Sequence, residues 1–179
     1  MMIGIINANS PSGRILKQKS KQITEKTHKE ITKQFMKKTL PFTVGNRCQG
    51  VAGNQVGMNE SIFTARLGNK WITCLNPTII DKGGKIIQNL EGCLSVSAKR
   101  IKVPRNTQIT LNFHKVGNFQ PQSRVLYGND ALVVQHEVDH LREALKNTDD
   151  WFFQNHLLKE ATDKLKKDQY WVKKVNGER

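Results

Sequence analysis

The chain has 179 residues, 37% of them hydrophobic, enough for one globular domain with its own core and short for two, so a single domain over 1–179 is expected. Lys and Arg number 29 against 15 Asp and Glu, a formal charge of +14 that favours acidic partners such as the ribosome or RNA, although a basic surface that serves only solubility would look the same. The apolar opening Met1 to Ile6 is too short for a secretory core, no run reaches membrane-spanning length, and three cysteines make no disulfide framework, so a cytoplasmic protein with reduced thiols and no membrane partner is expected.

In chain order, Ile23, Thr27, Ile31 and Phe35 recur at four-residue steps among lysines and predict a surface helix over 23–40, ending before Pro41. Short strand-like runs follow at 61–67, 71–75, 78–80 and 101–103. Ile109, Leu111 and Phe113 alternate with polar residues in the manner of a half-exposed antiparallel strand. Asp81-Lys82-Gly83-Gly84 reads as a hairpin connection and Val116-Gly117-Asn118 as another turn. A helix then begins at a cap supplied by Asn129 or Asp130, with Ala131, Val134, Val138, Leu141 and Leu145 as its buried stripe. Trp151, Phe152, Phe153, Leu157, Leu158, Ala161 and Leu165, set among lysines, predict a basic amphipathic helix over about 151–172. The class is α+β: antiparallel strands packed around a central helix, with a helix towards each terminus.

That central helix carries His136-Glu137-Val138-Asp139-His140, the HExxH pattern. Residues four apart share a helix face, so both imidazoles can reach one cation while the glutamate between them serves as a base. Two solvated histidines on an amphipathic helix would carry the same letters. However, at about 100° per residue the pair sits opposite the apolar stripe and is flanked by Leu132 and Val133, whereas Gln135, Asp139 and Arg142 form the polar side. A hydrolytic site needs a third protein ligand and an open position, and Cys93 in Glu91-Gly92-Cys93-Leu94-Ser95 is the candidate, an inert buried thiol being the alternative. No C2H2 spacing, phosphate loop or aromatic sheet signature accompanies the basic charge, and no DNA partner is expected.

Glu91-Gly92-Cys93-Leu94-Ser95 and Gln135-His136-Glu137-Val138-Asp139-His140 resemble the EGCxS and QHExDH motifs of peptide deformylase. Cys48-Gln49-Gly50-Val51-Ala52-Gly53-Asn54-Gln55 is similar to that family's GxGxAAxQ, and all three stand in the family's order. The similarity covers most of residues 45–141. It implies removal of the N-formyl group from the methionine of nascent chains, with Cys93, His136 and His140 binding one divalent metal. Ferrous iron is the family's usual ion; zinc, nickel or cobalt would suit the same ligands. Glu137 would take the proton from water and return it to the leaving amine. The resemblance nominates the Gln55 amide and the Leu94 backbone N–H as oxyanion donors. It nominates Gln49, Gly50, Val51, Gly92 and Arg100 as substrate contacts, with Leu132 and Val133 as the apolar wall. Glu91 and Arg105 would form either a pair that fixes the Cys93 loop or a surface salt bridge. A monomer is expected.

The departures from the family pattern are Cys48 for its first Gly, Gly53 for its second Ala, and Ser97 for the usual Pro. Gln49 and Asn89 place polar residues where the methionine pocket is expected, and Arg142-Glu143-Ala144-Leu145 follows the helix in place of a Gly-containing segment. Two other classes compete with deformylation. A zinc endopeptidase would take a downstream His or Glu as third ligand, and a metal-stabilised binding module would need neither Glu137 nor Gln55.

Overall fold

A computed structural model describes residues 4–8, 10–44 and 48–142. The elements in chain order are α1 (His28–Thr43), β1 (Gly50–Ala52), β2 (Ile62–Leu67), β3 (Lys70–Cys93), β4 (Val96–Lys115), β5 (Pro121–Tyr127) and α2 (Gly128–Leu141), with short 3-10 helices at Pro11–Lys17 and Gly53–Val56. The strands make one antiparallel sheet in the order β1-β2-β3-β4-β5, so each strand pairs with its neighbour in sequence. Among the described residues the α+β architecture is as expected.

Side chains alternate across this sheet, and those of β1, β2 and the Cys74–Leu75 part of β3 bury on both faces. Ala52, Phe63 and Cys74 point to the α2 side, where they meet Ala131, Val134, Val138 and Leu141. Val51, Ile62 and Leu75 point the other way and pack with Phe35 of α1. A strand buried on both faces has no apolar–polar alternation to display, and β2 reads as a continuous run for that reason. Each large apolar side chain so buried stabilises the fold by about 1.5–3 kcal/mol.

Several expectations change. α1 starts at His28, not Ile23. The Thr27 hydroxyl and backbone N–H both bond Thr24, forming a turn there, and Ile23 lies before it outside any helix, its N–H and C=O held by the Asn76 side chain at 2.8 Å each. The four-residue spacing therefore marked burial of Ile23 without helical continuity. α1 also continues through Pro41, which lies in its last turn, where the missing N–H removes a single bond.

The largest correction is at Asp81–Gly84. The segment is no hairpin turn: β3 runs straight through it, pairing Asp81 with Thr110 and Gly83 with Gln108, and a register shift follows before Ile86 pairs with Asn106. Gly84 takes a left-handed φ of 68°, and a Cβ there would overlap the Thr107 hydroxyl, so the glycine serves a bulge. The true β3–β4 turn is Leu94-Ser95, with Cys93 facing Val96. The 116–118 turn is where it was expected.

On α2 neither predicted cap acts as one. Tyr127 occupies the N-cap without a side-chain bond, Asp130 accepts the Gly68 N–H at 3.0 Å, and Asn129 reaches Gln49. The helix stops at Leu141, where Asn54 and the Ser20 N–H satisfy the His140 and Leu141 carbonyls. Leu145 and the predicted 151–172 helix lie outside the described residues.

Candidate metal and substrate site

The site forms where the β3–β4 turn meets α2 and β1. Between the Glu91↔Ile101 and Cys93↔Val96 pairs, β4 runs through 97–100 while β3 contributes Gly92 alone. This wide bulge twists the turn and presents Cys93 to α2. The Cys93 sulfur lies 3.3 Å from His140 Nε2, which lies 3.3 Å from His136 Nε2, and the three donor atoms fall within 4.8 Å of one another. Three electron-rich atoms converging like this repel unless a proton or cation lies among them. A thiolate with two imidazoles suits a borderline divalent ion, so the donor set fits one.

The rings are aimed by what lies behind them. Glu91 Oε2 accepts His136 Nδ1–H at 2.9 Å, which leaves Nε2 as the lone-pair atom facing the cluster. Arg105 grips the same carboxylate through Nε at 2.8 Å and Nη2 at 2.9 Å, and its third arm pairs with Asp139. Burial alone would raise the Glu91 pKa, but the bonds from Arg105 and His136 outweigh it and hold the carboxyl at about 2. Of the two alternatives, Glu91 and Arg105 are therefore the buried fastening of the Cys93 turn to α2 rather than a surface pair; both are under a tenth exposed. Asp139 and Gln135, assigned to a polar outer side, are also buried. Gln135 bonds both the N–H and C=O of Asn106 on β4. The helix is packed on three sides because β4 covers its polar flank.

Burial, aided by neighbouring His136, pushes the His140 pKa well below its usual value, so this ring is neutral and able to donate its lone pair. For His136 burial pushes down, but bonds to Cys93 and Glu91 overcome it and raise the ring's pKa. Glu137 stands apart from both. Its Oε2 is buried with no hydrogen-bond partner among the described residues, and burial raises its pKa to about 7. Gly50 lies against it so closely that a Cβ would overlap the carboxylate. A solitary carboxyl with its pKa near neutrality can take and return a proton.

The Ala52 N–H donates to Gln55 Oε1 at 2.9 Å, which fixes the amide's orientation and turns Nε2 towards Cys93 Sγ (3.4 Å) and Ser95 Oγ (3.3 Å). A cavity of about 850 Å³ opens beside these groups, lined by Gln49, Gly50, Gly92, Leu94, Arg100, Leu132 and Val133 as well as Gln55, Cys93, His136 and Glu137. Val51 alone of the nominated substrate residues has its side chain fully buried in the core on the α1 side. Ser95, Asn54 and Asp139 were missed as contributors. All three lie inside the quoted motifs, but their partners are 34 to 86 residues away in sequence.

A protein-family model described as polypeptide deformylase matches residues 2–146. The peptide deformylase of Rickettsia canadensis (strain McKiel) is 32% identical over 142 residues, spanning 73% of this chain and 78% of the relative. Among solved structures, the peptide deformylase of Thermotoga maritima aligns with a TM-score of 0.70 at 25% identity, covering 80% of this chain and 93% of that one. The PDF from the Vibrio parahaemolyticus bacteriophage VP16T, in complex with actinonin, aligns with a TM-score of 0.67 at 25% identity, covering 78% and 97%.

Proposed function

The chain belongs to the polypeptide deformylase family and removes the N-formyl group from newly synthesised polypeptides, and on that premise we propose that Cys93, His136 and His140 hold one divalent ion with Glu137 as the base beside it. The family is metal-dependent. Ferrous iron is our choice of native ion, on the resemblance, with zinc, nickel and cobalt suited to the same donors. Such an ion, when bound, polarises a carbonyl and brings the pKa of a water down to about 7.

The remaining work falls to the chain's own groups. Glu137 accepts the water proton on Oε2, which has no partner among the described residues, and passes it to the departing amine, for which a pKa of about 7 suits both directions. The Gln55 Nε2–H and the Leu94 N–H at the turn stabilise the developing oxyanion, each donor contributing about 3 kcal/mol. β1 is an edge strand, so the Gly50 and Val51 backbone is available to pair with an extended peptide, and Gly92 and Arg100 border it from the opposite side. Leu132 and Val133 form the wall for the first side chain. We also propose a monomeric, cytoplasmic single domain over 1–179, whose charge of +14 draws it to the ribosome. No helix among the described residues is long and apolar enough to cross a membrane.

The observation that carries this reading is the buried Glu137 oxygen, without a hydrogen-bond partner among the described residues, beside three converging donors. The test is formate release from an N-formyl-methionyl peptide by protein loaded with ferrous iron or nickel without oxygen. We expect turnover in the parent and a fall of about 10²–10⁴-fold in Glu137→Ala with metal content unchanged. Equal turnover in the two would remove Glu137 from the mechanism.

A further inference from the structure

The cavity beside the donor cluster has a definite direction. Leu132 and Val133 lie four and three residues before His136 on α2, about 4.5–6 Å along the helix axis, and Asn129 lies roughly a further turn back. A side chain entering next to the cluster would thus run first over Leu132 and Val133 and end at Asn129. Amides line the cavity there, beside Arg66 and Gly68. Asn129 Nδ2 donates to Gln49 Oε1 at 3.3 Å, and Gln49 is itself exposed to the cavity, its backbone held by the Arg66 N–H donating to Gln49 O at 2.8 Å. With Gln49 Oε1 engaged, its amide N–H groups have no protein acceptor among the described residues. Asn89 also lines the cavity. Its Nδ2 donates to Glu91 Oε1 at 3.0 Å, which leaves Oδ1 as the atom able to accept a bond.

We propose that Gln49, Asn129 and Asn89 make this a pocket for an unbranched side chain with an uncharged polar tip, so that the enzyme deformylates peptides beginning with methionine sulfoxide or glutamine as well as methionine. The inference rests on the deformylase reading of the neighbouring cluster. Its physical basis is a match of materials along the pocket. The stem of such a side chain meets Leu132 and Val133, and its tip meets amide donors and an acceptor that a thioether leaves unused. A pocket that is apolar to its end would leave a sulfoxide or carboxamide without partners and select against it. Here the polar tip exchanges water for amides, and methionine gives up nothing because the amides can retain water.

The test compares kcat/KM for N-formyl tripeptides that differ only in the first residue: methionine, methionine sulfoxide, glutamine and norleucine. In the parent, the sulfoxide and glutamine peptides are expected within about tenfold of methionine, and Gln49→Leu should widen the preference for methionine by about tenfold or more. Gln49 is exposed, so the variant is expected to fold as the parent does. The dissociation constants of the same peptides from metal-loaded Glu137→Ala, read by calorimetry without turnover, should show the same ratios, and adding Gln49→Leu should shift them in the same direction. A preference for methionine above about 100-fold in the parent, unchanged by Gln49→Leu, would overturn the proposal and leave the deformylase reading intact. Silence on every peptide, methionine included, would overturn both.

Discussion

Helix α2 buries an apolar side and a polar side made of opposite materials. Ala131, Val134, Val138 and Leu141 meet Phe63, Cys74 and Leu111 in a dry cluster, whereas Gln135 meets the Asn106 backbone, His136 meets Glu91, Asp139 meets Arg105 and His140 meets Cys93. The apolar face tolerates exchange of like for like because burial is non-directional. The polar face does not, because its side chains are tied to specific partners and a lost one leaves a charge or lone pair stranded. The comparison teaches that one face holds the helix in place and the other uses that fixed position: two imidazoles can converge on a thiol only if the backbone that bears them cannot move.

The sharpest way to break the comparison is to remove the sulfur. Cys93→Ala should lower metal affinity by more than the 10–100-fold typical of losing an outer partner, measured by competition with a chromogenic chelator, with the fold retained by circular dichroism. One equivalent still tightly bound would exclude Cys93 as a ligand. Next comes the cation behind the cluster. Arg105→Gln strands Glu91 and Asp139 in a buried setting and should cost about 3–5 kcal/mol in urea unfolding. It should also weaken metal binding, since Glu91 would no longer hold His136 in one orientation. On the other face Val138→Ala deletes two methyl groups at a position 1% exposed, and about 2 kcal/mol of stability should go with them while kcat/KM stays within about twofold. A variant here that lost activity but not stability would mean that the two faces are not separable.

What could be read from the chain follows the same division. The apolar stripe and the pair of histidines were visible because their geometry is local, set by three- and four-residue spacing on one helix. Cys93 became a candidate through its motif, not through any spacing to the histidines 43 and 47 residues on. The burial of Gln135 and Asp139 was not visible, because their partners Asn106 and Arg105 come from β4 and a polar residue opposite an apolar stripe looks like a solvated one. Gly83-Gly84 misled for a related reason: glycines mark both turns and bulges, and only the pairing across β3 and β4 tells them apart. Ile23 shares the helical spacing of Ile31 and Phe35 yet reaches the core from a non-helical segment held by Asn76.

The smallest expected effect contrasts the two buried-side sulfurs. Cys74 lies in the apolar cluster against α2, and burial raises its thiol from 9.0 to about 12, a shift that Arg124 opposes only in part. It should therefore remain neutral and unalkylated by iodoacetamide in the native protein through about pH 10, and react at once in urea, as peptide mass mapping would show. Cys93 is partly exposed to the cavity and should react in the metal-free protein and be shielded in the loaded one. The sign of the linkage follows from the direction of the shift. A thiol whose pKa is raised by folding contributes stability that is fully present below pH 9, where the unfolded chain also keeps its proton. That contribution falls away between about 9 and 12, as the unfolded thiol ionises and the folded one does not. Cys74→Ala should flatten the alkaline limb of the urea midpoint against pH in that window, while Cys93→Ala in metal-free protein should leave the Cys74 contribution in place. If both variants flattened it equally, the apolar and polar faces of α2 would be titrating as one unit, and the division between them would fail.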